Sequence, residues 1–327
     1  MKSATMSVVA LVRSLRAKRL SEADFEKLSG AASILSAAAI LNNMPAYKDR
    51  VGPSANPQSI GEELRSGLYE DIAKISRYSR AAGHDFTDYF IFRTDVEGLS
   101  DAIAALHAGT HDFTISFSAG YEKLSRLNLL ETAGAHDLAG LMKSAEGTRY
   151  KELLTNVLTE YTRTGDIIRV EAGLTHGADI RFLEVSGGRR RGMDIPSASF
   201  RKTGLFRLRA AESDLTLIKH FARAARFDVP REARIALSSP VITTLTDSKL
   251  AALADLDDPS RLPEILAGTD YSQLDTSDVE TAADAALAKI LDRTLIYSFD
   301  PDELVFAYIL SKNTEIRRIV GCLDSKE

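Results

Sequence analysis

One segment design occurs three times in this chain of 327 residues. Residues 20–47, 124–150 and 245–271 each have the pattern of a short helix, a turn and a second short helix that ends in a tyrosine. The second and third copies close with Gly-Thr-x-Tyr, whereas the first closes with Met-Pro-Ala-Tyr. The repeat markers are the closing tyrosines, Tyr47, Tyr150 and Tyr271. Three copies of near-equal length indicate that the fold is built from repeated helical units.

The composition and the apolar spacing both favour helices. Alanine and leucine are abundant, tryptophan is absent and only 9 prolines occur, which together favour helix formation. Apolar residues outside the copies recur at spacings of three and four, as in amphipathic helices. We therefore predict an all-α fold of three pseudo-symmetric helical domains, residues 1–119, 120–236 and 237–327.

Several helix starts are marked by capping residues. Ser21 with Asp24, and Ser277 with Glu280, have the spacing of a capping box. The run Asp-Pro-Asp-Glu at 300–303 offers a capping carboxylate, a proline at the first helical position and acids in the first turn. These signals predict helices that begin directly after Ser21, Ser277 and Asp300.

The middle of the chain departs from the repeated pattern. Residues 153–174 predict one long helix, which Gly165 weakens. The alternation Ile-Arg-Phe-Leu-Glu-Val within residues 178–185 is typical of a strand. A turn-rich stretch at 187–199 follows, and we expect helical structure to resume at Asp214. The second domain is thus predicted to hold an insertion before its closing helix.

This insertion lies within a basic run, residues 181–209, although the whole chain has a formal net charge of −5. Two interpretations stay open: a solvated loop, or a surface for an acidic partner or anionic lipid headgroups. Gly187 and Gly188 lack the Gly-Lys-Ser/Thr ending of a phosphate loop. Nucleic acid is disfavoured because few aromatic residues accompany the cations. The candidate partner-binding residues are Arg189, Arg190, Arg191, Arg201 and Lys202.

The pattern with the most catalytic potential is His-Asp, which occurs at 84–85, 111–112 and 136–137. Imidazole and carboxylate side chains can share a divalent metal. However, each pair follows a loop, and helix capping by Asp85 and Asp137 is the favoured interpretation. The single cysteine, Cys322, excludes a disulfide framework. We predict no catalytic residue, no cofactor and no metal site, and we predict no membrane span, which would need about 20 apolar residues.

Two further motifs resemble a known family. The C-terminal stretch contains Lys-x-x-Glu-Ile-Arg, and the helix that closes the first domain contains Asp-x-x-x-Leu. The matching residues are Asp95, Leu99, Lys312, Glu315, Ile316 and Arg317. Gly98, Asn313 and Arg318 depart from the family's pattern. Together with the length and the order of the three units, these motifs resemble the C subunit of bacterial and archaeal V/A-type ATPases, which corresponds to the d subunit of eukaryotic V-type ATPases.

The resemblance implies a funnel-like socket on the cytoplasmic face of the membrane, bound peripherally as part of a complex. Such a protein is a non-catalytic subunit that transmits torque in ATP-linked proton or sodium transport. Its implied partners are the central-stalk subunits and the membrane rotor ring, and the basic insertion adds anionic lipid headgroups as a candidate. Two alternatives remain: a His-Asp metal phosphohydrolase, and a helical adaptor unrelated to rotary ATPases.

Overall fold

The computed structural model describes residues 2–52, 56–81, 83, 85–110, 120–227, 229–237 and 241–326. Helices dominate these ranges. In chain order they are α1 (Lys2–Arg16), α2 (Glu22–Ser29), α3 (Ile34–Asn42), α4 (Pro57–Ala81), α5 (Thr87–His107), α6 (Leu129–Ala133), α7 (Leu138–Ser144), α8 (Lys151–Thr164), α9 (Ile167–Val185), α10 (Gly204–Arg226), α11 (Arg231–Leu237), α12 (Asp247–Ala254), α13 (Leu262–Ile265), α14 (Val279–Tyr297) and α15 (Pro301–Asp324). Short 3-10 turns form at Phe200–Lys202 and Pro259–Arg261.

The all-α class is confirmed, since no β-strand forms among the described residues. An isolated antiparallel bridge joins Arg189 and Pro196 within the basic insertion. None of the described helices is both long enough and apolar enough to span a bilayer.

The chain divides into two compact units. Unit 1 comprises Met1–Ile91, Thr114–Ser125 and Leu291–Glu327, and unit 2 comprises Phe92–Phe113 and Arg126–Ile290. Unit 1 therefore joins the beginning of the chain to its end. The division into three domains stays a prediction.

Unit 1 is built around three long helices, α1, α4 and α15, which pack against one another. The apolar residues of α4 recur every three or four positions, and Ile60, Leu64 and Ile75 are fully buried. A Cβ atom at Gly61 would lie 2.9 Å from Cγ2 of Val320, so glycine permits the close approach of α4 and α15. The short helices α2 and α3 pack on each other, and α2 also packs on α15.

Unit 2 contains two packed groups of helices. Helix α8 packs on α9, and α9 packs on α11. The second group places α10 against α11 and α12. Its core includes Ile218, Phe221, Leu253 and Leu262, together with the ring of Tyr271. The third copy of the repeated segment is therefore fixed to α10 by apolar burial.

Two capping predictions are confirmed. Ser21 and Asp24 form a reciprocal capping box at the start of α2. At the start of α15, the carboxylate of Asp300 accepts hydrogen bonds from the backbone N–H groups of Asp302 and Glu303. The capping box predicted at Ser277 is wrong. The carboxylate of Asp278 instead accepts the backbone N–H of Thr281 at the first turn of α14, at 3.1 Å.

The predictions for the middle of the chain are also corrected. Residues 178–185 do not form a strand but the last turns of α9, because Val170, Leu174, Ala178 and Phe182 are buried at helical spacing. The helix predicted over 153–174 is two helices, since Gly165 has a left-handed conformation (φ 66°) that ends α8. Helix α10 begins at Gly204, ten residues before the position expected from sequence.

Candidate functional site

The Gly-Thr-x-Tyr motif forms the same turn in both copies that contain it. Gly147 and Gly268 have φ angles of 71° and 76°, a left-handed conformation that glycine adopts at low cost. The residue after this glycine is Thr148 or Thr269. Its side-chain hydroxyl accepts a hydrogen bond from the backbone N–H of the tyrosine two residues later, at 3.2 Å in both copies. The glycine turns the chain after a short helix, and the threonine then fixes the backbone of the tyrosine.

The hydroxyl of each repeat tyrosine donates a hydrogen bond to a buried carboxylate on a long helix. Each tyrosine, with its carboxylate and the side chains around them, is called a corner and is numbered in chain order of the tyrosines. In corner 1, Tyr47 donates to Oε1 of Glu315 on α15 at 2.6 Å. In corner 2, Tyr150 donates to Asp95 on α5. In corner 3, Tyr271 donates to Oδ2 of Asp214 on α10 at 3.1 Å. These three hydroxyls therefore face buried carboxylates and not water.

The carboxylates are buried as deeply as the rings. The exposed fractions of Asp95, Asp214 and Glu315 are 0%, 0% and 3%. Burial raises the pKa of Tyr47, Tyr150 and Tyr271, and the adjacent carboxylates raise it further. The hydroxyls therefore keep their protons, which is the form that can donate to a carboxylate.

Corner 1 compensates its carboxylate with cations. Lys312 Nζ lies 2.6 Å from Glu315 Oε1, and Arg19 Nε lies 3.2 Å from Oε2. The backbone N–H of Leu20 also donates to Oε2 at 3.2 Å. Lys312 is buried and lies over the ring of Tyr47, 3.9 Å from its centroid. Because burial disfavours its charge, the pKa of Lys312 is lowered.

Corner 2 places an arginine on the tyrosine hydroxyl. The guanidinium of Arg149 donates to the hydroxyl of Tyr150 at 3.1 and 3.2 Å. It also lies over the ring of Phe92, which stacks on Tyr150 at 5.0 Å between centroids. The backbone N–H of Arg126 donates to Asp95 at 3.3 Å. Tyr150 thus accepts from a cation and donates to an anion.

Corner 3 surrounds its carboxylate with neutral donors. The hydroxyl of Thr243 donates to Oδ1 of Asp214, and the hydroxyl of Thr244 donates to Oδ2 at 2.5 Å. The backbone N–H of Thr244 adds a bond of 3.1 Å. Burial raises the pKa of Asp214, although these hydrogen bonds oppose the shift. Sequence reasoning missed Asp214, although it precedes Ile218 by the same spacing that separates Asp95 from Leu99.

A buried ion network in unit 2 was also missed. Arg209 donates to Asp179 at 2.6 Å and to Glu212 at 3.2 Å. Glu212 also accepts a hydrogen bond from Arg93 Nη1 at 2.5 Å. Asp179, Arg209 and Glu212 are all buried. This network joins α9, α10 and the unit 2 part of α5, so Arg209 is a structural residue although it belongs to the basic run of the sequence.

The candidate partner-binding residues lie between α9 and α10 and differ in their surroundings. Arg189 is held by Glu184 at 2.7 Å and by Asp194. Arg190 and Arg191 are exposed at the tip of the insertion. Arg201 and Lys202 are exposed on the 3-10 turn before α10.

The markers taken from the family resemblance divide into buried and exposed positions. Leu99 and Ile316 belong to the core, with exposed fractions of 0% and 1%. Lys312 and Glu315 form the buried ion pair of corner 1. Arg317 is exposed on α15.

The His-Asp pairs do not come together as a metal centre in the part of the chain that the structure describes, where no group of three or more His, Cys, Asp or Glu side chains could hold a metal. Asp137 caps α7 by accepting the backbone N–H of Gly140 at 2.7 Å, and His136 is exposed. Asp85 accepts from Thr87 Oγ1 and Ser76 Oγ at 2.5 and 2.8 Å. His84 and the pair at 111–112 lie outside the described residues.

Comparison with known proteins matches nearly the whole chain to one family. A family model described as ATP synthase (C/AC39) subunit matches residues 8–327. The C subunit of the A-type ATP synthase of Methanothermobacter thermautotrophicus is 25% identical over 273 residues, covering 82% of this chain and 67% of the relative. That of Methanobrevibacter smithii is 24% identical over 271 residues, covering 77% of this chain and 66% of the relative. The chain spans about two thirds of the length of these relatives.

Proposed function

Because the chain belongs to the ATP synthase (C/AC39) subunit family, we propose that it is a non-catalytic coupling subunit of an A/V-type rotary ATPase. In this role it transmits torque between the central stalk and the membrane rotor ring during ATP-linked proton or sodium transport. The observation that carries the proposal is the family match over residues 8–327.

The internal construction of each unit is physically suited to transmitting force. Close-packed interiors have low compressibility and pass strain from one element to the next. In unit 1, α1, α4 and α15 pack together, and corner 1 ties the turn after α3 to α15 through a charged hydrogen bond. In unit 2, the Arg209 network and corners 2 and 3 add further buried polar contacts. Such contacts resist sliding because separating them leaves buried charges unpaired.

The proposed partners are the central-stalk subunits and the rotor ring, and the proposed location is the cytoplasmic face of the membrane, where the chain is held peripherally. Charge complementarity across such contacts sets partner choice and the rate of association.

Co-purification tests this proposal. An affinity-tagged chain is purified from native membranes in a mild detergent, and its partners are identified by mass spectrometry. We expect stalk and ring subunits to accompany it, with ATP hydrolysis present in the complex and absent from the isolated chain. A chain that purifies without any ATPase subunit would instead favour the unrelated adaptor.

A separate assay tests the phosphohydrolase alternative. The isolated chain is assayed for phosphatase activity with added divalent metals, and its metal content is measured. Activity that disappears in the Asp85→Ala and His136→Ala variants, while the fold is retained, would support a metal phosphohydrolase and contradict the coupling proposal.

A further inference from the structure

Residues 189–196 form a closed hairpin, named here the basic hairpin. The backbone N–H of Arg190 donates to the carbonyl of Ile195 at 2.8 Å, and the N–H of Met193 donates to the carbonyl of Arg190 at 3.0 Å. Gly192, the third residue of the tight turn that begins at Arg190, has a φ of 74°, as a type II turn requires. The tip is therefore a defined turn rather than an extended loop.

The base of the basic hairpin is fixed to the core of unit 2. Phe200 is 7% exposed and contacts the rings of Phe182 and Phe206 at centroid distances of 6.0 and 5.9 Å. A Cβ atom at Gly188 would overlap Cδ1 of Phe200, so the backbone passes directly over that ring. Pro196 is also buried. The tip is thus presented on a preorganised support, which lowers the entropic cost of docking.

Most cations in and beside the basic hairpin have no acidic partner among the described residues. Arg189 is neutralised by Glu184 and Asp194. The remaining cations are exposed, and the described part of the chain places no carboxylate within 4.0 Å of their nitrogen atoms. They are Arg190, Arg191, Arg201, Lys202 and Arg207. A cluster of uncompensated positive charge on a chain of net charge −5 is a local surface for an anionic partner.

The basic hairpin also exposes apolar side chains. Met193 and Ile195 are 48% and 38% exposed and lie two positions apart, next to Arg190 and Arg191. Cations alone would suit an acidic protein surface. Cations that flank exposed apolar side chains suit the surface of an anionic bilayer, where the apolar groups enter the headgroup boundary and the charges meet the phosphates.

We propose that the basic hairpin, with Arg201, Lys202 and Arg207, docks on an anionic lipid bilayer surface, and that Met193 and Ile195 enter its headgroup region. The inference rests on the proposed function for the presence of a membrane beside the protein. The test of this inference does not depend on the proposed function, because the purified chain and pure lipid are sufficient.

Vesicle binding measures the electrostatic contribution to membrane docking. Purified chain is floated with phosphatidylcholine vesicles that contain or lack phosphatidylglycerol, across a salt series. We expect binding only to the anionic vesicles, weakening as salt shortens the Debye length. The double variant Arg190→Ala/Arg191→Ala should bind about 30-fold more weakly. The matched control, Lys289→Ala/Arg293→Ala on α14, removes two exposed cations elsewhere and should bind like wild type.

Tryptophan fluorescence measures the apolar part. The chain contains no tryptophan, so Met193→Trp introduces a unique reporter at the tip. Its emission should shift to the blue on anionic vesicles and be quenched by brominated acyl chains. Phe227→Trp, at a side chain that is 75% exposed after α10, is the control and should show neither change.

Three results would overturn the proposal: no binding of wild type to anionic vesicles, equal binding of the double variant, or no change in the emission of Met193→Trp. If wild type ignores vesicles but the double variant loses affinity for purified rotor rings, the hairpin docks on an acidic protein instead. Because co-purification with ATPase subunits is a separate readout, the lipid proposal can fail while the proposed function stands.

Discussion

Corners 1 and 3 make the same tyrosine–carboxylate contact but neutralise the carboxylate in different ways. In corner 1, Glu315 is paired with Lys312 at 2.6 Å and Arg19 at 3.2 Å. In corner 3, the donors to Asp214 among the described residues are neutral and come from Thr243, Thr244 and Tyr271. The repeated feature is therefore the hydrogen bond between hydroxyl and carboxylate, and the surrounding charges belong to each corner separately.

This difference decides which substitutions are severe. Removing one member of a buried ion pair leaves the other charge without compensation. Removing the charge of a carboxylate that is held by neutral donors leaves no buried charge, and the threonine hydroxyls can rotate to suit an amide. Corner 1 should accordingly be more sensitive to neutralisation than corner 3.

The largest expected effect follows from Glu315→Gln. Lys312, whose side chain is 5% exposed, would lose its counter-ion. We expect a loss of about 3–5 kcal/mol in the free energy of unfolding, measured by chemical denaturation. Asp214→Asn should cost about 1 kcal/mol in the same assay. Equal losses for the two variants would remove the distinction between the corners.

Tyrosine-to-phenylalanine substitutions should have intermediate and similar effects. Tyr47→Phe and Tyr271→Phe each remove one hydrogen bond to a carboxylate while its other donors stay in place. We expect each to lower the free energy of unfolding by about 1.5–3 kcal/mol. Tyr297→Phe, at a ring that is 70% exposed, is the control and should have almost no effect. A much larger loss at one corner would show that the tyrosines themselves are not equivalent.

The change of unfolding free energy with pH in the acidic range should distinguish Asp214 of corner 3 from a carboxylate that caps a helix. Burial raises the pKa of Asp214 above 3.8, so the folded chain holds its proton at a pH where the unfolded chain has lost it. The stability due to protonated Asp214 is full below pH 3.8 and is lost as pH rises through the raised pKa. The difference in unfolding free energy, wild type minus Asp214→Asn, should therefore fall as pH rises in this window.

Asp24 supplies a control of opposite sign for this titration. The hydroxyl of Ser21 and the backbone lower the pKa of Asp24 to about 2. Its contribution is present above pH 3.8 and is lost as pH falls toward 2. The difference between wild type and Asp24→Asn should thus rise with pH. Parallel slopes for the two variants would contradict the assignment of Asp214 as a carboxyl with a raised pKa.

The smallest effect concerns the turn that corner 3 has and corner 1 lacks. Gly268 has a φ of 76°, and a Cβ atom there would meet no neighbour within 4 Å. Gly268→Ala should therefore cost about 1 kcal/mol of unfolding free energy through backbone conformation alone. Gly321→Ala, on an open face of α15 with ordinary helical φ, should instead stabilise by about 0.5–1 kcal/mol. If both variants change the unfolding free energy in the same direction, the left-handed turn is not the reason that glycine stabilises the chain at Gly268.

The tyrosines of the corners were predictable from sequence, but their carboxylate partners were not. Tyr47, Tyr150 and Tyr271 stand out because local turn chemistry repeats with them. Their acceptors come from distant parts of the chain: 268 residues separate Tyr47 from Glu315, and 57 separate Tyr271 from Asp214. Periodicity reports which face of a helix is buried, but it does not report which helix covers that face.

The strand predicted at 178–185 failed for a related reason. The alternation there is short, whereas Leu174, Ala178 and Phe182 continue a helical spacing that begins earlier in α9. Arg181 and Glu184 pair at 3.1 Å as neighbours three residues apart on one helix. A short window contains both patterns, and the packing of the buried helical face selects between them.

ATP-driven ion transport in membranes is a direct measure of the proposed coupling role. Membranes stripped of this chain are assayed for ATP hydrolysis and for ATP-driven ion transport, and purified chain is then added back. We expect stripping to abolish ATP-driven transport and wild-type chain to restore it, while the chain alone hydrolyses no ATP. Transport that continues unchanged without the chain would contradict its role as the coupling subunit.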